Sequence, residues 1–298
     1  MAKDNRHKLS NFYIRHMAKG LARQRYGTCI GAMAVLFGVA LALGQLRGYY
    51  AQGATDSLRS LITGLLIAFL SLIVTAPANV GARGVFCDIA AQRETRATKA
   101  LAWYGDGKRL SSSILLMLAQ TLIALAALTL FGGLALAVLY RVDPLFFAAL
   151  LSGNLFFLLL SVHKLYLLLL AVFGPTYLIM ARFAPAAYLL AEQPEKGPLA
   201  CMKESSKLLK GFYWKYIGLQ LLSLLQLIGY ALMASIFCML IFGGDINSAA
   251  AYAAVFTEVA AYFSIMPQLG IGTALFIKDA RVQNREPEPA QTDEAGTL

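Results

Sequence analysis

Leu110–Tyr140 reads LSSSILLMLAQTLIALAALTLFGGLALAVLY, a run without one charged side chain. A helix needs about 20 apolar residues to cross the hydrocarbon core of a bilayer. No water is present there to satisfy backbone amides and carbonyls, so such a run must hydrogen-bond within itself, as a helix. Five blocks of the same character accompany it: Cys29–Leu46, Ser60–Val80, Leu145–Ala181, Phe212–Phe242 and Ala249–Phe276. The chain therefore reads as an all-α membrane protein with six transmembrane helices.

Composition agrees with that class. Hydrophobic residues make up 58% of the 298 residues and charged residues 14%, against about 25% charged in soluble domains. The net charge of +10 suits anionic lipid headgroups better than nucleic acid in so apolar a chain. Of the 26 basic residues, only Arg47, Arg59, Arg141 and Lys164 fall on the opposite side, in or next to the odd-numbered gaps. All others lie before the first block, in two long loops between the second and third and between the fourth and fifth, or in the tail. By the positive-inside tendency, both termini and both long loops face the cytoplasm. A seventh span would place the basic 182–215 loop outside. Residues 145–160 therefore read as an apolar lead-in, interfacial or packed against the bundle, ahead of a fourth span at about 160–182.

The expected organisation is a basic amphipathic arm over 1–27, a six-span membrane domain over 28–278 and a disordered cytoplasmic tail over 279–298. In the arm, Leu9, Phe12, Tyr13, Met17 and Leu21 recur at helical spacing, with Arg15, Lys19 and Arg23 on another face. A second surface helix is expected between Pro198, which suits a first turn, and Gly211, which suits a stop. There Lys203, Lys207 and Lys210 form a basic stripe opposite Leu199, Met202 and Leu209. Phe212, Tyr213, Trp214, Trp103 and Tyr104 fit an interfacial aromatic belt. Such surfaces either anchor the bundle to anionic lipid or dock a membrane-protein partner; Lys203, Lys207, Lys210 and Trp214 are the candidate residues.

A weak threefold repeat pairs each basic segment with a helical hairpin whose returning span carries Pro and Gly: Pro77 with Gly81, Gly174-Pro175, and Pro267 with Gly270 and Gly272. Proline removes an amide donor and crowds the preceding turn, so Pro77, Pro175 and Pro267 mark kinks. They reflect packing irregularity or surround a common cavity, as broken helices do in transporters.

Glu258 lies about nine residues, or ~13 Å at ~1.5 Å per residue, into the last block. A charge at that depth costs at least ~2.5 kcal/mol by insertion scales, so it must be neutral, paired or wet. His163 and Lys164 are the partners the sequence offers. The three form a candidate transport or structural site.

Catalytic signatures are missing: no G-x-S-x-G elbow, H-E-x-x-H pair or Walker loop occurs, and Arg109 follows Gly107-Lys108 where a phosphate loop needs Ser or Thr. Four scattered cysteines imply neither a disulfide framework nor a zinc site. No enzyme, cofactor or metal is expected.

Residues 186–222, AAYLLAEQPEKGPLACMKESSKLLKGFYWKYIGLQLL, resemble the signature of a bacterial family labelled domain of unknown function 975. Tyr188, Glu192, Glu204, Ser205, Ser206, Lys207, Lys210, Gly211, Phe212 and Trp214 carry the match, with Ala76, Pro77, Gly81 and Pro267. The resemblance implies six spans. The family is distantly similar to the membrane domain of glycerophosphodiester phosphodiesterases, which is not their catalytic part. The expected function is a non-enzymatic component that binds lipid or a partner and supports export or envelope assembly. The alternative is a small-molecule transporter or permease with Glu258 as coupling acid.

Overall fold

Helix boundaries fall where capping side chains and prolines put them. In this computed structural model residues 10–53, 57–153, 161–242 and 246–284 are described. Helix α1 (Asn11–Gln24) starts at Ser10, whose Oγ accepts the Tyr13 amide at 3.2 Å. It leads into α2 (Tyr26–Gly53) and α3 (Ser57–Ala90), then a short 3-10 helix at Ala97–Leu101. Asp106 caps α4 (Gly107–Val142), accepting the Lys108 amide at 3.0 Å. Then follow α5 (Pro144–Ser152), α6 (Val162–Ala181), α7 (Ala186–Glu192) and α8 (Pro198–Leu208). The last helices are α9 (Tyr213–Ile241), α10 (Ile246–Ala260) and α11 (Met266–Asn284), the final two joined by a π turn at Ala261–Ile265.

Six helical stretches are long and apolar enough to cross a membrane: Tyr26–Gln45, Ile62–Ala90, Gly107–Val142, His163–Glu192, Tyr213–Ile241 and Ser248–Asn284. The helices are otherwise continuous through their prolines. Pro77 and Pro175 sit inside α3 and α6. Pro267 follows the π turn, whose wider winding relieves the clash a proline ring makes with the preceding turn.

The lead-in of the fourth block divides. Asp143 accepts the Phe146 amide at 3.1 Å and starts α5, and Gly153 ends it in the left-handed region at φ 64°. Phe146 is wholly buried and Ala149 nearly so, so α5 packs against the bundle. Residues 154–160 lie outside the described residues.

Small residues decide where the core sits. Ile14, Ala18 and Ala22, one helical stripe of α1, are buried, with Ala18 and Ile14 packed on Gly272 of α11. Small-on-small contact of this kind lets helices approach closely in lipid. A Cβ on Gly81 would lie 2.1 Å from the Ala100 carbonyl oxygen, and one on Gly270 2.3 Å from the Phe86 ring. Gly81 thus seats the 3-10 helix against α3, and Gly270 seats α11 against α3. Around these contacts α1, the start of α2, the end of α3, α7, α8, the start of α9 and α11 share one core. It gathers both long basic loops at one end of the bundle, termed here the basic end.

This core bears on three expectations. The arm forms α1, whose buried stripe is Ile14, Ala18 and Ala22, with Met17 and Leu21 at the edge, while Phe12 and Tyr13 are exposed. Leu9 lies outside the described residues. Trp103, expected in an interfacial belt, is buried, whereas Tyr104 is exposed and donates its hydroxyl to the Val74 carbonyl. Residues 279–284, expected in a disordered tail, continue α11; residues 285–298 lie outside the described residues.

Candidate functional site

Side-chain pairs tie the basic end together. Lys99 pairs with Asp88, joining the first long loop to α3. Lys215 meets Asp279 at 3.0 Å, joining α9 to α11. Arg281 reaches Glu192 at 2.5 Å and Glu204 at 3.7 Å, and Lys196 reaches Glu204 at 2.7 Å, so α7, α8 and α11 are clamped. Neutral groups complete the clamp: Ser205 Oγ donates to the Arg182 carbonyl at 2.6 Å, and Gln120 Nε2 to the Phe183 carbonyl at 2.9 Å. From α1, Asn11 Nδ2 donates to the Lys215 carbonyl at 2.9 Å, and Arg15 donates to Gln226 Oε1.

Outside this network lies a cationic face. Pro198 opens α8 as its first residue, and Gly211, at φ 88°, takes the left-handed turn after it, as the sequence implied. Cys201, Met202, Ser205 and Leu208 face inward, and Leu209 beyond the helix is buried too. Leu199, expected with them, is 64% exposed. Lys203, Lys207 and Lys210 all point outward, and among the described residues none forms an ion pair. Trp214, 73% exposed, stands beside them with its ring edge-on to Tyr213. Arg182 caps the Tyr213 ring at 5.6 Å, which orients the aromatic pair.

Inside, the same end encloses a cavity of about 420 Å³ between α2, α3, α7, α9 and α11. A smaller one of about 200 Å³ adjoins it, and both are lined by Arg83, Ala184, Tyr216 and Gln220. Arg83 was legible in the sequence only as one charge of a basic loop. Helix α3, however, continues past the apolar block and carries this side chain into the bundle. Its guanidinium carbon lies 5.2 Å from the centre of the Tyr188 ring. Gln220 Nε2 donates to the Tyr216 hydroxyl at 2.7 Å. The prolines do not line these cavities, but Thr75 and Asn79, Met266, and Tyr177, their near neighbours in sequence, do.

The candidate intramembrane triad does not assemble around Glu258. Lys164 binds Asp143 at 2.5 Å and lies 5.8 Å from the centre of the Phe146 ring, clamping α5 to α6. His163 is exposed. Glu258 is exposed on α10, forms no ion pair among the described residues, and lines neither cavity. All four cysteines are free and buried. No cluster of metal-ligating side chains occurs among the described residues.

Six membrane-length helices around one polar-stitched end define a multi-pass helical membrane protein. The chain belongs to the family described as Protein of unknown function (DUF975), whose model matches residues 9–277. That match takes in α1 as well as all six apolar blocks. No curated protein and no solved structure matches the chain.

Proposed function

We propose that the protein is a non-enzymatic component of a bacterial plasma membrane, with both termini cytoplasmic, that binds anionic lipid headgroups through the outer face of α8. The proposal includes a supporting role in export or envelope assembly. One observation carries the reading. Lys196, Lys215, Arg281 and Lys99 are each held by a carboxylate, whereas Lys203, Lys207 and Lys210 on one exposed stripe are left unpaired. Each lysine near an anionic bilayer surface contributes about 1 kcal/mol. Trp214 beside the stripe supplies the amphipathic ring that favours the headgroup level.

The test is lipid retention by the full chain purified in a neutral detergent and analysed by native mass spectrometry with phosphatidylglycerol and phosphatidylcholine. The wild-type chain retains phosphatidylglycerol preferentially, and the triple change Lys203→Gln, Lys207→Gln, Lys210→Gln removes that preference. An unchanged preference in the triple variant contradicts the proposal. A protein cross-linked at these lysines in native membranes, with no preference for anionic lipid, would transfer the face to a partner.

A further inference from the structure

Arg83 differs from the exposed, unpaired cations of the basic end in being half-buried and lining both cavities. A guanidinium stays protonated at any physiological pH and presents five donors in a rigid fork. Half-buried at a cavity wall, such a group is better compensated by an anion than by a ring face alone. The nearby carboxylates are already committed: Asp88 to Lys99, Glu192 to Arg281 and Asp279 to Lys215. Among the described residues Arg83 forms no ion pair and no hydrogen bond, and its recorded partner is the face of Tyr188. A ring face orients the guanidinium but leaves its N–H edge free.

Arg83 lines a cavity whose other lining residues are of two kinds. Thr75, Asn79, Gln220 and Thr273 are polar, with the Thr75 hydroxyl donated to the Ser71 carbonyl at 2.7 Å. Thr273 is 1% exposed, and its hydroxyl lies next to that of Tyr188. Met33, Leu36 and Ala40 from α2 and Met266 and Leu269 from α11 are apolar. The volume of about 420 Å³ lies within the range of ligand sites, about 300–1,000 Å³.

We propose that this cavity binds a phosphate group, held by the Arg83 fork with hydroxyl and amide donors from Thr273, Asn79 and Gln220. Two sources present that chemistry, a lipid phosphomonoester headgroup and free phosphate, and the apolar α2–α11 wall suits the first. The site is separate from the exposed lysine face.

The full chain in a neutral detergent is titrated with dihexanoyl phosphatidic acid, inorganic phosphate and dihexanoyl phosphatidylcholine, with binding read by calorimetry. Phosphatidic acid binds once per chain, and Arg83→Met weakens it at least ~10-fold, since a charge-assisted bidentate contact is lost. The lysine triple variant binds it as the wild type does. Displacement by inorganic phosphate assigns the site to the free ion, and no displacement assigns it to the lipid. If Arg83→Met is not monodisperse, Arg83→Lys replaces it, keeping the charge but losing the fork, with several-fold weaker binding expected. The proposal is overturned if neither phosphate compound binds, if phosphatidylcholine binds as well as phosphatidic acid, or if the folded Arg83 variant binds with wild-type affinity.

Discussion

At the basic end Ile14, Tyr216, Phe276 and Ile277 are each at most 2% exposed, whereas along α4 and α6 Leu130, Leu134, Leu167 and Leu170 are each at least 60% exposed. Both groups are equally apolar. Lipid tails are as apolar as leucine, so the mid-membrane surface gains little by folding onto itself. Specific packing is instead concentrated where polar loops, α1 and helix ends meet. There ion pairs and close glycine contacts add what apolar character alone does not. At the opposite end the comparable clusters are small: Cys238, Ala249 and Ala253 between α9 and α10, and Phe146 with the Asp143–Lys164 pair at α5.

Substitutions at the two ends should therefore differ, and the largest difference is steric. Gly81→Leu places a side chain against the Ala100 backbone, which cannot yield as a side-chain tip can. It should cost about 3 kcal/mol or more and prevent recovery of monodisperse protein from detergent. Leu134→Ala on the exposed flank of α4 should leave recovery unchanged. Truncation comes next: Phe276→Ala should lower stability by about 3–5 kcal/mol, read as a fall in the thermal midpoint in detergent. The comparison breaks if Leu134→Ala lowers the midpoint as far as Phe276→Ala does.

Electrostatic changes are smaller. Asp279→Asn leaves Lys215 without its carboxylate in a mostly buried setting and should cost about 2 kcal/mol, partly restored by Lys215→Met in the same chain. At the far end, the Lys164 ammonium and then the Phe146 amide hold the Asp143 carboxyl below its ordinary value. A carboxyl with a lowered folded value stabilises above the ordinary carboxylate range and loses that contribution as pH falls through the folded value. Hydrogen exchange in α5, corrected for intrinsic rates, should stay slow at neutral pH and quicken in acid below the ordinary carboxylate range. The global midpoint should hardly move with it.

The number and position of the spans were legible because an uncharged run of about 20 residues is a one-dimensional signal. Which face of each helix meets protein was not, since core and lipid faces are alike apolar. Phe12 and Tyr13 drew attention in α1 as large apolar residues, yet Ile14, Ala18 and Ala22 are the buried ones, and small size against Gly272 was the informative property. Pro198 and Gly211 were readable because their backbone constraints are local. Arg83 was not, because its meaning depends on where α3 ends and on carboxylates far away in sequence. Glu258 stood out by depth alone, and depth gives no partner.

The most direct test concerns residue 203, on which the free basic face and its cytoplasmic placement both rest. The native cysteines are buried, and burial pushes the Cys201 thiol up to about 11, so they should react slowly with maleimide at neutral pH. Against that quiet background, Lys203→Cys in intact cells should resist a membrane-impermeant maleimide and label fully once the membrane is permeabilised. Full labelling of residue 203 from outside intact cells would contradict the account.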